Sequence, residues 1–157
     1  MTNNPENTLV MQTTKGSVVI LLRPDLAPKH VARIKELTRQ GFYDGLVFHR
    51  VIDGFMAQGG DPTGTGTGGS GKKLSGEFSR EPHVRGICSM ARSNHPDSAD
   101  SQFFICYDEA PWLNGQYTVW GQVIEGMEAV DQFAQGEPVD NPDSIISLQV
   151  LSDVEAA

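Results

Sequence analysis

A chain of 157 residues, 38% hydrophobic and 20% charged, has the material for one hydrophobic core and reads as a single domain over residues 1–157. Its net charge of −8 argues against nucleic acid as a partner, because phosphate contacts need clustered cations. No apolar stretch approaches the ~20 residues of a membrane span. The opening Met-Thr-Asn-Asn-Pro-Glu-Asn has no basic region followed by an apolar run, so no membrane partner and no secretory signal are expected, and the cytoplasm is the expected compartment.

Seventeen Gly and nine Pro predict many turns between short elements. Residues 9–13 and 17–22 are rich in aliphatic and β-branched side chains and flank Lys15-Gly16, which predicts a first hairpin. Val31, Ile34 and Leu37 then recur at helical spacing, with Pro28 suited to the first turn and Gly41 after the last periodic position. That pattern predicts a helix over about residues 28–40, with Lys29, Arg33, Lys35, Glu36 and Arg39 on a solvated face. His30 reads as an exposed helix residue and His95 as an exposed loop residue.

Residues 48–61, Phe-His-Arg-Val-Ile-Asp-Gly-Phe-Met-Ala-Gln-Gly-Gly-Asp, form a second hairpin turning at Asp53-Gly54. Simple pairing across that dipeptide puts Arg50 and Phe55 on one face, and Met56 and Gln58 on the other. Residues 64–73 are rich in glycine, and 66–71 match G-x-G-x-x-G. No helical period follows to aim amides at a phosphate, and Lys73 stands where a phosphate-binding loop needs Ser or Thr. The stretch therefore reads as a glycine loop, and the nucleotide-binding reading is set aside.

Further short apolar runs lie at 87–91, 103–107, 118–124 and 145–151, and Met127, Val130, Phe133 and Ala134 mark a second short helix stopped by Gly136. Eight strands and two helices joined by Gly/Pro turns favour a barrel or sandwich. Cys88 and Cys106 belong to no Cys-x-x-Cys pair and have no zinc-like His spacing. Both read as buried reduced thiols, and no metal or cofactor is expected.

Three later pieces complete a pattern with residues 48–61: Ser89-Met90-Ala91-Arg92, Ser101-Gln102-Phe103-Phe104-Ile105, and Trp112-Leu113-Asn114-Gly115-Gln116-Tyr117. In this order they resemble the cyclophilin-type peptidyl-prolyl cis-trans isomerases, from the first hairpin to the final strand. The resemblance implies a mainly β fold, a closed eight-stranded antiparallel β-barrel capped by two α-helices. It places a groove on the barrel's outside and makes an Xaa-Pro peptide bond the substrate. It also implies an irregularity in the second hairpin that brings Arg50, Phe55, Met56 and Gln58 to one groove.

Rotation about such a bond is opposed by about 18–20 kcal/mol of amide resonance, and uncatalysed exchange takes roughly 10–100 s. No covalent bond breaks, so neither a nucleophile nor a metal is required. An apolar pocket for the proline ring helps, as does a fixed donor aimed at the prolyl nitrogen, because that lone pair becomes basic only in the twisted state. Arg50, permanently charged and forked, suits the donor role. By the resemblance, Phe55, Met56, Phe104 and Leu113 form the pocket, Gln58 and Gln102 bond the substrate backbone, and the backbone at Ala91 and Arg92 pairs with an extended peptide.

Two positions depart from the best-known pattern, with Tyr117 where many members have His and Arg92 where many have Asn; Tyr117 resembles the bacterial branch. Trp112 implies binding of a cyclosporin-type inhibitor. The expected partners are proline-containing peptides and flexible protein segments, and the expected state is a monomer. His49 and His83 read as structural, Asp61 as a turn-former, and Trp120 and Phe103 as barrel interior. The competing reading is a proline-peptide binding module without turnover, for which Arg50 would be superfluous.

Overall fold

The computed structural model describes residues 4–155. Eight strands form one sheet: β1 (Thr8–Thr13), β2 (Gly16–Leu22), β3 (Arg50–Ile52), β4 (Met56–Gly59), β5 (Ile87–Met90), β6 (Phe103–Cys106), β7 (Val119–Glu125) and β8 (Ile145–Val150). Every ladder is antiparallel, and the strand order is β3-β4-β6-β5-β7-β2-β1-β8. The expected closed barrel is more accurately a curled sheet with a seam. Edge strands β3 and β8 share no ladder. The segment before β3 meets the start of β8 through an isolated Val47–Ser144 bridge, with Ile145 N donating to Leu46 O at 2.8 Å and Phe48 N to Asp143 O at 2.9 Å.

Side-chain parity sorts the sheet into two faces. Cross-strand partners Val51, Ala57, Ile105 and Cys88 share the inner face. They join a core that includes Phe48, Phe103 and Trp120, with Phe103 edge-on to both other rings at 6.1 and 5.7 Å. Burying each such ring contributes roughly 1.5–3 kcal/mol. Helix α1 (Pro28–Arg39) sets Val31, Ile34 and Leu37 into this core, and Pro28 occupies its first turn, where the missing N–H costs nothing.

Three α-helical segments are present among the described residues, against two expected. The second predicted helix is only α2 (Met127–Val130); Phe133 and Ala134 lie beyond it, and Phe133 stacks on Phe48 at 4.4 Å. The third, α3 (Leu151–Glu155), continues directly from β8. None of the helices described is long and apolar enough to cross a membrane.

His30 corrects the expectation of an exposed residue. Its side chain is fully buried, because Glu77 folds over the start of α1 and accepts from the Lys29 and His30 amides at 3.1 and 2.8 Å and approaches His30 Nδ1 at 2.7 Å. The carboxylate thereby satisfies amides that an α-helix leaves unpaired in its first turn. Burial lowers the His30 pKa more than Glu77 raises it. Both cysteines are buried and unbridged; burial raises the thiol pKa at each, to about 12 at Cys106.

Candidate active site

The outer face of the same strands carries the site. Arg50 stands opposite Gln58, Gln58 opposite Phe104, and Phe104 opposite Ser89, so one row crosses β3, β4, β6 and β5. Met56 lies one step along the row, opposite Ile52 and Cys106. The hairpin that achieves this holds no register shift, so the irregularity implied by the resemblance is of another kind. Three residues connect the strands instead of two: Phe55 N donates back to Ile52 O at 3.0 Å, and Gly54 takes φ +72°. The extra turn residue moves Arg50 into register with Gln58 and leaves Phe55 in the turn itself, at the rim.

These side chains border a cavity of about 140 Å³. Phe55, Met56, Phe104 and Leu113 give it apolar surface; Arg50 and Gln58 supply polar groups on one side, and Ala91, Arg92 and Tyr117 complete the walls. Met56, Phe104 and Leu113 are buried in an outer apolar cluster with Val119, separate from the inner core. Behind Phe104 the His83 ring stacks at 6.1 Å, bonded through Nδ1 to Asn114 Oδ1 (3.0 Å) and through Nε2 to Ser89 Oγ (2.9 Å). Both ring nitrogens are thus engaged inside the protein, and burial lowers the His83 pKa. Its placement is that of a brace for Phe104.

A chain of side-chain bonds runs along the polar edge. Arg50 Nη1 donates to Gln58 Oε1 at 3.2 Å, Gln58 Nε2 to Gln102 Oε1 at 2.9 Å, and Gln102 Nε2 to Gly68 O at 3.0 Å. Arg50 Nε also donates to Glu137. Gln102 lies outside the apolar cavity and borders a second, polar one of about 270 Å³, built on the glycine loop at residues 66–69 and sharing Gln58, Ala91 and Arg92 with the first. Asp61 holds that loop, accepting from Thr63 N (2.8 Å), Thr63 Oγ1 (2.8 Å) and Gly66 N (2.5 Å). Burial opposes its charge, but the Thr63, Gly68 and Gly66 bonds prevail and hold its pKa down at about 2. Asp100 holds the far end through Ser70 and Gly71, and a Cβ on Gly69 would come within 2.7 Å of an Asp100 carboxylate oxygen, so glycine permits the close approach.

Arg92 separates the two cavities. Its Nε donates to Gln116 O at 2.9 Å and its Nη1 to Ser93 O at 2.8 Å, with the guanidinium 4.7 Å from the Tyr117 ring centre and 5.9 Å from that of Phe78. Tyr117 in turn stands edge-on to Phe104 at 5.7 Å. At Ala91 the amide already donates to Gln102 O (2.9 Å), so only its carbonyl is left for an extended peptide. Trp112 lines neither cavity; it is 65% exposed and lies 5.7 Å from the Phe55 ring. Sequence reasoning missed Glu137, a loop residue far along the chain with no local signal. It also missed Lys73, Ser98 and Asp100 as walls of the polar cavity, because segments distant in sequence from the glycine loop meet there. Among the described residues no group of three or more His, Cys, Asp or Glu side chains could hold a metal.

An eight-stranded curled sheet with a cation-edged apolar cavity on its outer face defines a class. Residues 8–151 match the family described as cyclophilin type peptidyl-prolyl cis-trans isomerase/CLD, and the chain belongs to that family. Among relatives, a "Probable peptidyl-prolyl cis-trans isomerase" of Brucella suis biovar 1 is 51% identical, with 97% of this chain and 86% of that protein covered. "Peptidyl-prolyl cis-trans isomerase B" of Bacillus subtilis is 47% identical over 74% of this chain and 82% of its own length. The crystal structure of a cyclophilin from Hirschia baltica superposes with a TM-score of 0.88 at 34% identity, covering 95% of this chain and 75% of that one. A cyclophilin type isomerase from Cryptosporidium parvum, solved in the presence of the dipeptide ala-pro, gives 0.85 at 32% identity, covering 91% and 98%.

Proposed function

We propose that the protein is a peptidyl-prolyl cis-trans isomerase that speeds rotation about Xaa-Pro bonds in other proteins and so assists their folding. The observation that carries this reading is the junction of Arg50 with the apolar surface of Met56, Phe104 and Leu113 in one small cavity. The proline ring seats against those side chains and Phe55, which holds the prolyl side while the acyl side turns. Arg50 donates to the prolyl nitrogen. In the planar amide that lone pair is shared with the carbonyl; in the twisted amide it is localised and accepts. The bond therefore strengthens toward the transition state, the condition for lowering the barrier instead of merely binding. A hydrogen bond to a charged group contributes about 1.5–3 kcal/mol, and restraint of the ring adds to it. Gln58 and Gln102 bond the substrate backbone, and the Ala91 carbonyl pairs with it beside Arg92.

Proline-containing peptides and flexible segments are the proposed partners, a reading supported by the family and by the relative solved in the presence of ala-pro. Trp112, exposed beside Phe55, is the proposed contact for a cyclosporin-type inhibitor, and Tyr117 keeps an aromatic wall. The protein works as a monomer in the cytoplasm. The test is NMR exchange spectroscopy on an Ala-Pro peptide with catalytic amounts of protein. Cis and trans signals exchange with the wild type and largely fail to with Arg50→Ala. Binding without accelerated exchange would instead make the protein a proline-binding module.

A further inference from the structure

Arg50 is gripped at two points. Its Nη1 donates to Gln58 and its Nε to a carboxylate oxygen of Glu137, a residue that arrives from the loop after α2. Both side chains are partly exposed, 38% for Arg50 and 59% for Glu137, so the pair contributes little to stability. Its backbone setting, however, is fixed. On one side of Glu137, Gly136 exchanges two hydrogen bonds with Val51, N–H to O at 2.9 Å in each direction. On the other side, Val139 N donates to His49 O at 3.0 Å. The loop is thus sewn to the strand immediately before and after Arg50. Gly136 takes φ +152°, and a Cβ there would lie 2.7 Å from Pro138 O, so this path requires glycine.

A guanidinium is planar, with one N–H on Nε and the rest on the two Nη atoms. A carboxylate on Nε and an amide oxygen on Nη1 fix both the position and the rotation of that plane. The N–H bonds that remain are all at the Nη end. We infer that Glu137 is a positioning residue for the isomerase reaction, holding the Arg50 plane so that a free Nη–H meets the prolyl nitrogen as the amide twists. The inference rests on the proposed role of Arg50. Glu137 itself touches no substrate. It removes side-chain freedom that Arg50 would otherwise lose on reaching the transition state, so its effect falls on kcat and not on KM.

The experiment compares kcat and KM on an Ala-Pro peptide for wild type, Glu137→Ala, Glu137→Gln, Arg50→Ala and the double variant Arg50→Ala/Glu137→Ala. The Arg50 Nε–H signal is followed by ¹⁵N NMR in parallel. Glu137→Ala is expected to lower kcat about tenfold at unchanged KM, and to leave the Nε–H exchanging faster with water. Glu137→Gln, whose amide oxygen accepts the same bond, restores most of the rate. In the Arg50→Ala background, removing Glu137 costs nothing further. Arg50→Ala inactive while Glu137→Ala retains or exceeds the wild-type kcat overturns the inference alone. So does an equal loss from removing Glu137 in both backgrounds. Full activity in Arg50→Ala overturns the role of Arg50 and the inference with it.

Discussion

The two cavities share Gln58, Ala91 and Arg92 but are built in different ways. The apolar one has its floor on paired strands, where Met56, Gln58 and Phe104 are locked by register, and His83 braces Phe104 from behind. The polar one is a glycine loop tied down at its ends by Asp61 and Asp100. Ladder-borne side chains hold position to fractions of an ångström, which suits the donor role proposed for Arg50. A loop anchored by carboxylates adapts more easily, which would suit a peptide segment flanking the proline if the proposed function holds. On the proposed function, the contrast separates turnover from choice of substrate.

The strongest way to break that division is Arg50→Ala. Its rate on an Ala-Pro peptide is expected to fall about a hundredfold, within the range of one charge-assisted bond, with KM nearly unchanged. A loss carried mainly by KM would join the two roles again. Phe55→Ala, at the rim, is expected to raise KM about tenfold, from partial loss of apolar contact. Calorimetry and melting curves check that the fold is intact. In the polar cavity, neither Lys73 nor Arg92 forms an ion pair with a carboxylate among the described residues. On a chain of net charge −8 these two cations outnumber the one carboxylate of this cavity, Asp100. Lys73→Glu is expected to shift preference about threefold from peptides with Glu beside the Ala-Pro unit toward those with Lys, fading at high salt. Peptide pairs compared at low and high ionic strength decide it.

The smallest expected effects are in pH. The His83 pKa is lowered by burial, so the unfolded chain takes up its proton first and stability falls as pH drops below about 6.5. Asp61 is held down at about 2 from 3.8, so its contribution is complete above pH 3.8 and is lost only as pH falls toward 2. The two groups thus draw on stability in separate windows, one opening below about pH 6.5 and the other below pH 3.8. Thermal melts of His83→Gln and Asp61→Asn should flatten the stability profile in those two separate windows; flattening in the same window would refute the separation.

Local pattern made much of this readable beforehand. Val31, Ile34 and Leu37 after Pro28 define α1 within a residue, six strands fall on the apolar runs, and β3 and β4 fall within the hairpin at 48–61. What escaped depended on contacts between distant segments. His30 looks exposed until Glu77 is seen to fold over it. Phe133 continues a helical period but is drawn out of α2 to stack on Phe48. The hairpin at Asp53-Gly54 misleads because a strong two-residue turn motif sits inside a three-residue connection, and one residue of register decides which side chains face Arg50. Glu137 is separated from Arg50 by 87 positions, and no periodicity joins them.

Strand β1 pairs with β8, Leu9 lying opposite Val150. At a synthesis rate of about 5–20 residues per second, β1 waits on the order of 10 s for its neighbour to leave the ribosome. Meanwhile β3 to β6, which carry Arg50 and the apolar floor, have already emerged. The seam at Val47–Ser144 and the loop bearing Glu137 come later. A nascent chain therefore exposes the whole row from Arg50 to Ser89 before the backbone that steadies it exists. Such late, non-local pairing places the sheet among slow-folding topologies. During that interval the uncovered edges of β1 and β3 are where a growing chain is open to pairing with another.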